Sequence, residues 1–195
     1  MKTEKNSGMR QVKKITLSAV MCALGVALMT LGAVFSSLDL TMAAVASLTV
    51  VFVYLEIGAP YTWFCWLITS GLSALMFPGS ILWAEYLLIF GLYPILKGII
   101  EKAPRPFWWL LKLAFFHVAG ALFLVVLRFV YGMPLFGTGA DAFVDISFLA
   151  DNRTLAIVIL YVVALLALIV YDFFLTVVVR IYVLKYRQKF GKFLK

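Results

Sequence analysis

Polar and ionisable side chains interrupt the apolar runs of this chain at only a few positions, and these are the side chains with which it could do chemistry. Charged groups at membrane depth carry a free-energy cost, so each is a functional candidate by default. Six polar or ionisable residues lie near the ends of apolar runs: Asp39, Trp83, Glu85, Tyr86, Arg128 and Tyr131. For Asp39 a structural role competes with a ligand role, because it can cap a helix that starts at Leu40.

Glu85 and Arg128 are the two charged residues of this group that lie within apolar runs. Glu85 comes one turn into its run, and Arg128 is the fourth residue from the end of another. They can pair with each other, or both can face a cavity that opens outward. In the second case the six residues named above form a layer that binds a small-molecule substrate.

Four other residues inside the runs have simpler interpretations. His117 is expected to form a hydrogen bond with a neighbouring helix, and a proton relay between His117 and Asp172 is a weaker alternative. Cys22 and Cys65 are interpreted as small buried hydrophobic residues, not as a disulfide or a metal site.

The amino-acid composition indicates whether these residues lie in a soluble protein or in a membrane. Of the 195 residues, 65% are hydrophobic and 13% are charged, and the mean hydropathy is +1.06. A soluble domain carries about 25% charged residues and cannot hide so much apolar surface. Disordered chains are poor in apolar residues, so disorder is excluded as well. The sequence therefore predicts an integral membrane protein.

Six apolar runs are long enough, or nearly long enough, to span a bilayer as helices. They cover residues 15–35, 40–57, 61–77, 81–100, 107–131 and 154–184. The fourth run contains Gly91 and Pro94, which predict a kink. The second and third runs are joined by very few residues, so a re-entrant hairpin is an alternative there. The predicted fold is an all-α, compact bundle of six transmembrane helices.

The 17 basic and 9 acidic residues give a net charge of +8. Most of the basic residues fall in segments that share one side if the N-terminus is cytoplasmic, as the positive-inside rule requires. The chain then divides into a basic cytoplasmic N-terminus (1–14), the transmembrane domain (15–184) and a basic cytoplasmic tail (185–195). This distribution favours contact with anionic lipid at the termini over binding of nucleic acid.

The first run carries a stripe of small residues, Ala19, Ala23 and Ala27, at every fourth position. Such a stripe lets another helix approach closely. No catalytic motif accompanies it: the sequence has one histidine, no paired carboxylates, no glycine-rich phosphate loop and no nucleophile elbow. The chain is therefore expected not to be an enzyme and to need neither a cofactor nor a metal.

Residues 13–28, KKITLSAVMCALGVAL, resemble the first helix of S components, the substrate-binding membrane subunits of energy-coupling factor (ECF) transporters. The resemblance implies a small six-helix protein of the bacterial cell membrane with both termini inside. It also implies that Ala19, Ala23 and Ala27 dock on a T component, while two separate ATPases drive release of the substrate. The ligand would be a vitamin or small nutrient captured from outside, with stretch 132–152 acting as a closing loop.

A non-enzymatic scaffold of the MreD type, acting in cell-shape or cell-envelope assembly, is the alternative function. Such a scaffold would have no ligand cavity, and its outer polar residues would be satisfied by each other.

Overall fold

The structure, a computed structural model, describes residues 2–134, 136–137, 144–145 and 152–186. Within them the chain forms six helices, which confirms the predicted all-α class. Their bounds are α1 Lys2–Val34, α2 Asp39–Glu56, α3 Ala59–Met76, α4 Leu82–Ile100, α5 Trp108–Phe129 and α6 Arg153–Ile181. Short 3-10 turns at Ser36–Leu38 and Arg105–Phe107 lead into α2 and α5, and a π turn at Tyr182–Tyr186 continues α6. Two extended dipeptides, Phe136–Gly137 and Val144–Asp145, pair in parallel.

Five of these helices are long and apolar enough to cross a membrane, namely α1, α2, α4, α5 and α6. The helix α3 has the same 18-residue length as α2 but carries four buried hydroxyl side chains along one face. These are Thr62, Thr69, Ser70 and Ser73. Most of the predicted outer loop 132–152 and of the basic tail 185–195 lies outside the described residues.

The core forms around α2. Its Ala43, Ala46, Val50 and Val53 are fully buried, and their spacing of three and four residues places them on one helix face. The helices α1, α3 and α4 pack around α2, and α5 packs against α4. The last helix is peripheral, since 11% of its most apolar window is buried, compared with 50% for α4. Most of the remaining surface of α6 is apolar and suits lipid.

The predicted break in the fourth helix is confirmed, and its cause is local. Pro94 has no N–H, and its ring crowds the carbonyl of the residue four positions earlier, Phe90. The chain accommodates this by forming a π turn at Tyr86–Phe90, in which the Gly91 N–H bonds the Tyr86 carbonyl at 2.7 Å. A Cβ on Gly91 would lie within 3 Å of the Tyr86 backbone, so this position requires glycine.

Side chains of neighbouring helices bind two carbonyls at this break. The indole Nε1 of Trp66 donates to the Leu87 carbonyl at 3.1 Å, and the hydroxyl of Tyr171 donates to the Phe90 carbonyl at 3.0 Å. In a membrane, water is not at hand to satisfy such groups, so the protein must do it. The break in α4 is therefore fixed by α3 on one side and by α6 on the other.

Candidate functional site

Glu85 lies near the start of α4, with its side chain directed into the bundle. It is 5% exposed, and its Oε2 atom has no hydrogen-bond partner among the described residues. The Nε1 atom of Trp83 and the hydroxyl of Tyr86 are likewise buried without a partner within 3.5 Å. The Tyr86 hydroxyl faces Thr49 and Thr69, and the Trp83 nitrogen faces Tyr131. Buried polar atoms are normally paired, so the oxygen of Glu85 is the atom that marks this end of α4 as unusual.

Tyr131 and Trp83 lie together at the same end of the bundle, with ring centroids 6.4 Å apart. The Tyr131 hydroxyl donates to the Ser80 carbonyl at 2.6 Å and lies 3.3 Å from the Pro78 carbonyl. This bond fastens the chain after α5 to the connection between α3 and α4. Burial raises the pKa of Tyr131, so its hydroxyl remains a proton donor.

Asp39 is the first residue of α2, one position later than a capping residue. The predicted capping role is wrong, because Leu38 is the N-cap and no side chain caps the helix; one carboxylate oxygen of Asp39 instead accepts the N–H of the next residue, Leu40, at 2.6 Å, and its charge lies in the first turn. The negative charge of Asp39 also acts on Glu85. Arg128 is exposed, and no ion pair joins it to Glu85 within the described residues. Of these three residues, Asp39 and Glu85 thus interact electrostatically, and Arg128 does not pair with Glu85.

The alanine stripe of α1 lies on the outside of the bundle. Ala19, Ala23 and Ala27 are all exposed, whereas Cys22 and Met29 of the same helix are buried against the core. The stripe therefore does not pack against other helices of this chain and is accessible to another protein.

At the other end of the bundle the structure brings together charged residues whose pairing the sequence analysis missed. We refer to Lys97, Glu101, Lys112 and Asp172 as the inner charge cluster. The Lys112 amine donates to both carboxylate oxygens of Asp172 at 2.9 Å, and Lys97 forms ion pairs with Asp172 and, at 2.9 Å, with Glu101. The Tyr93 hydroxyl also donates to Asp172. Both lysine side chains are 7% exposed, so they are as buried as core residues.

The sequence suggested only His117 as a partner for Asp172 and did not indicate its pairing with Lys97 and Lys112. The available signal was the presence of one acidic residue, Asp172, deep in the last run and of two lysines inside the ends of the fourth and fifth. The two positive and two negative charges of the cluster balance, so we interpret it as a structural ion-pair network that joins α4, α5 and α6.

The remaining candidates have ordinary surroundings. His117 lies 2.8 Å from the hydroxyl of Tyr161 on α6, which confirms the predicted bond to a neighbouring helix. Cys22 and Cys65 are buried free thiols, as predicted. Among the described residues, no group of three or more His, Cys, Asp or Glu side chains is arranged to hold a metal ion.

Comparison of the chain with protein-family models, with curated proteins and with solved structures finds no match.

Proposed function

We propose that this protein is the substrate-capture subunit of an ECF-type transporter, which binds a small nutrient from outside and docks on a T component through α1. The observation that carries the proposal is the buried and unpaired Oε2 of Glu85. A carboxyl group kept away from water without a partner is destabilising unless something binds it. A bound ligand supplies that partner.

The arrangement also argues against the scaffold alternative. An MreD-type scaffold was expected to satisfy its outer polar residues internally, as the inner charge cluster does. In the described part of the outer layer Asp39 and Tyr131 are bonded within the chain, but Glu85 has an unpaired oxygen and forms no ion pair with Arg128.

The charges at the site restrict the chemical class of the ligand. Asp39 and Glu85 are both acidic, Asp39 acts electrostatically on Glu85, and the rings of Trp83 and Tyr131 lie at the same end of the bundle. Aromatic faces and carboxylates together favour a positively charged group. The proposed nutrient therefore carries a cationic group such as a protonated amine.

Native mass spectrometry of the purified protein tests the capture role. We expect a small-molecule adduct on the wild type and its loss in Glu85→Gln, which removes the negative charge but keeps the shape. Glu56→Gln is the matched control, since Glu56 lies at the opposite end of α2, where it accepts a hydrogen bond from Tyr182 at 2.9 Å. An adduct that survives Glu85→Gln, or a wild type without any adduct, would contradict the proposal.

The docking role predicts that a larger side chain in the exposed alanine stripe prevents binding of the T component. Ala23→Leu should abolish co-purification with a T component, because the added side chain holds the partner helix away. Ala121→Leu makes the same change at an exposed position of α5 and should have no effect. Equal co-purification of both variants would show that α1 does not carry the docking face.

A further inference from the structure

A groove of about 390 Å³ opens between α2, α4 and α6 at the predicted cytoplasmic end of the bundle. Its walls are mostly aliphatic, with Val51, Pro94 and Leu175 among them, and its polar lining includes Tyr54 and Arg180. The Tyr54 ring lies directly against Gly98, where an added Cβ would come within 2.7 Å of it. We call this cavity the inner groove.

The charges that line the inner groove do not cancel. Lys97 lines it but is already neutralised by Asp172 and Glu101. Arg180 also lines the groove, is exposed, and has no ion pair within the described residues. Because the inner charge cluster is balanced in itself, Arg180 leaves the groove with one uncompensated positive charge.

Position and shape indicate what kind of anion fits. The inner groove lies at the end of the bundle where the basic residues concentrate, which the positive-inside rule assigns to the anionic leaflet. The peripheral α6 forms one wall, so an apolar chain can enter from the side. An aliphatic cleft with a single cation at its membrane-surface end is complementary to a phospholipid with a negatively charged headgroup.

We propose that the inner groove binds one anionic phospholipid, with its phosphate against Arg180 and an acyl chain along the aliphatic walls of α2, α4 and α6. This site is independent of the outer layer. If the lipid proposal is disproved, the proposed capture function is unaffected.

Native mass spectrometry with added lipid tests the site. The detergent-purified protein is titrated with phosphatidylglycerol or with phosphatidylcholine of the same acyl chains. We expect one phosphatidylglycerol to be retained in preference to phosphatidylcholine. Arg180→Gln should weaken that retention by about fivefold, the size expected for losing one basic residue that faces an anionic headgroup. Arg180→Lys should largely restore it.

Two controls separate a built site from general attraction. Arg105→Gln removes an exposed arginine from the loop before α5, outside the groove, and should change retention little. Val183→Trp fills the groove without changing any charge and should reduce retention as Arg180→Gln does. Equal retention of both lipids, an equal loss in Arg105→Gln, or full competition by inorganic phosphate at matched concentration would each overturn the proposal.

Discussion

Asp172 lies within an apolar stretch of the last helix, yet it accepts hydrogen bonds from Tyr93, Lys97 and Lys112. Glu85 lies in a comparably buried position and has an oxygen atom with no donor among the described residues. The two acidic residues illustrate how little a residue type says by itself. Burial with full pairing indicates a structural role, whereas burial without pairing indicates a site that awaits a partner.

Removing one charge from the inner charge cluster should strongly destabilise the protein. Asp172→Asn leaves Lys97 and Lys112 close together with Glu101 as their sole counter-charge, and breaking a buried pair in this way costs about 3–5 kcal/mol. We expect a markedly lower midpoint of thermal unfolding in detergent. The double variant Asp172→Asn with Lys112→Met restores the charge balance and should recover a large part of the loss.

The comparison between the single and double variants is what identifies charge as the cause. If the two changes add without coupling, the cluster is not held by its ion pairs, and Asp172 acts through packing alone.

At this scale the sequence identified the right residue types but few of the pairs. The bond between His117 and a neighbouring helix was predicted correctly, whereas the binding role of Asp39, Glu85 and Arg128 stays a prediction. The pairing of Lys97 and Lys112 with Asp172 was not predicted, because it joins three helices whose rotation about their own axes the sequence leaves undetermined. An ion pair between helices depends on that rotation.

At the scale of single elements, α4 differs most from a regular helix. Gly91 and Pro94 predicted a kink from their chemistry alone, since both effects are local. The donors that satisfy the break, Trp66 and Tyr171, come from α3 and α6 and depend on tertiary packing. The π turn thus has a local cause and a tertiary support.

Gly91→Ala should destabilise the protein by about 1–3 kcal/mol, because the added methyl group would meet Trp66 and the Tyr86 backbone within 3 Å. Gly120→Ala is the matched control in α5, since nothing lies within 4 Å of a Cβ there. That control should be neutral or stabilising by up to about 1 kcal/mol through helix propensity. Thermal unfolding of the two variants side by side decides the matter, and equal midpoints would refute a close packing of α3 on α4.

For the whole molecule, the length of the apolar runs was sufficient to predict the helix count, because span length is a direct consequence of bilayer thickness. The uncertain element was the pair of second and third runs. The structure shows α2 and α3 as two separate 18-residue helices, of which α3 is not among those apolar enough to cross a membrane by composition. Its hydroxyl face packs inside the bundle, which explains why its hydropathy is a weak guide to its location.

Cysteine labelling on intact cells tests how α3 is placed in the membrane. Gly79→Cys, between α3 and α4, should react with a membrane-impermeant maleimide from outside. Ala59→Cys, at the start of α3, should react only after permeabilisation. The native thiols of Cys22 and Cys65 are buried and should give little background. An Ala59→Cys variant that stays unlabelled under both conditions would indicate a re-entrant hairpin instead of two spans.

The peripheral last helix has a consequence for biosynthesis. The lysines of α4 and α5 are made and inserted before Asp172 leaves the ribosome, so for that interval they lie at membrane depth with Glu101 as the sole acidic partner of their cluster. The arrival of α6 neutralises them and supplies the Tyr171 donor for the break in α4. Nascent chains that stop before residue 172 would therefore expose unpaired intramembrane charge, the kind of feature by which a membrane protease can distinguish unfinished copies from finished ones.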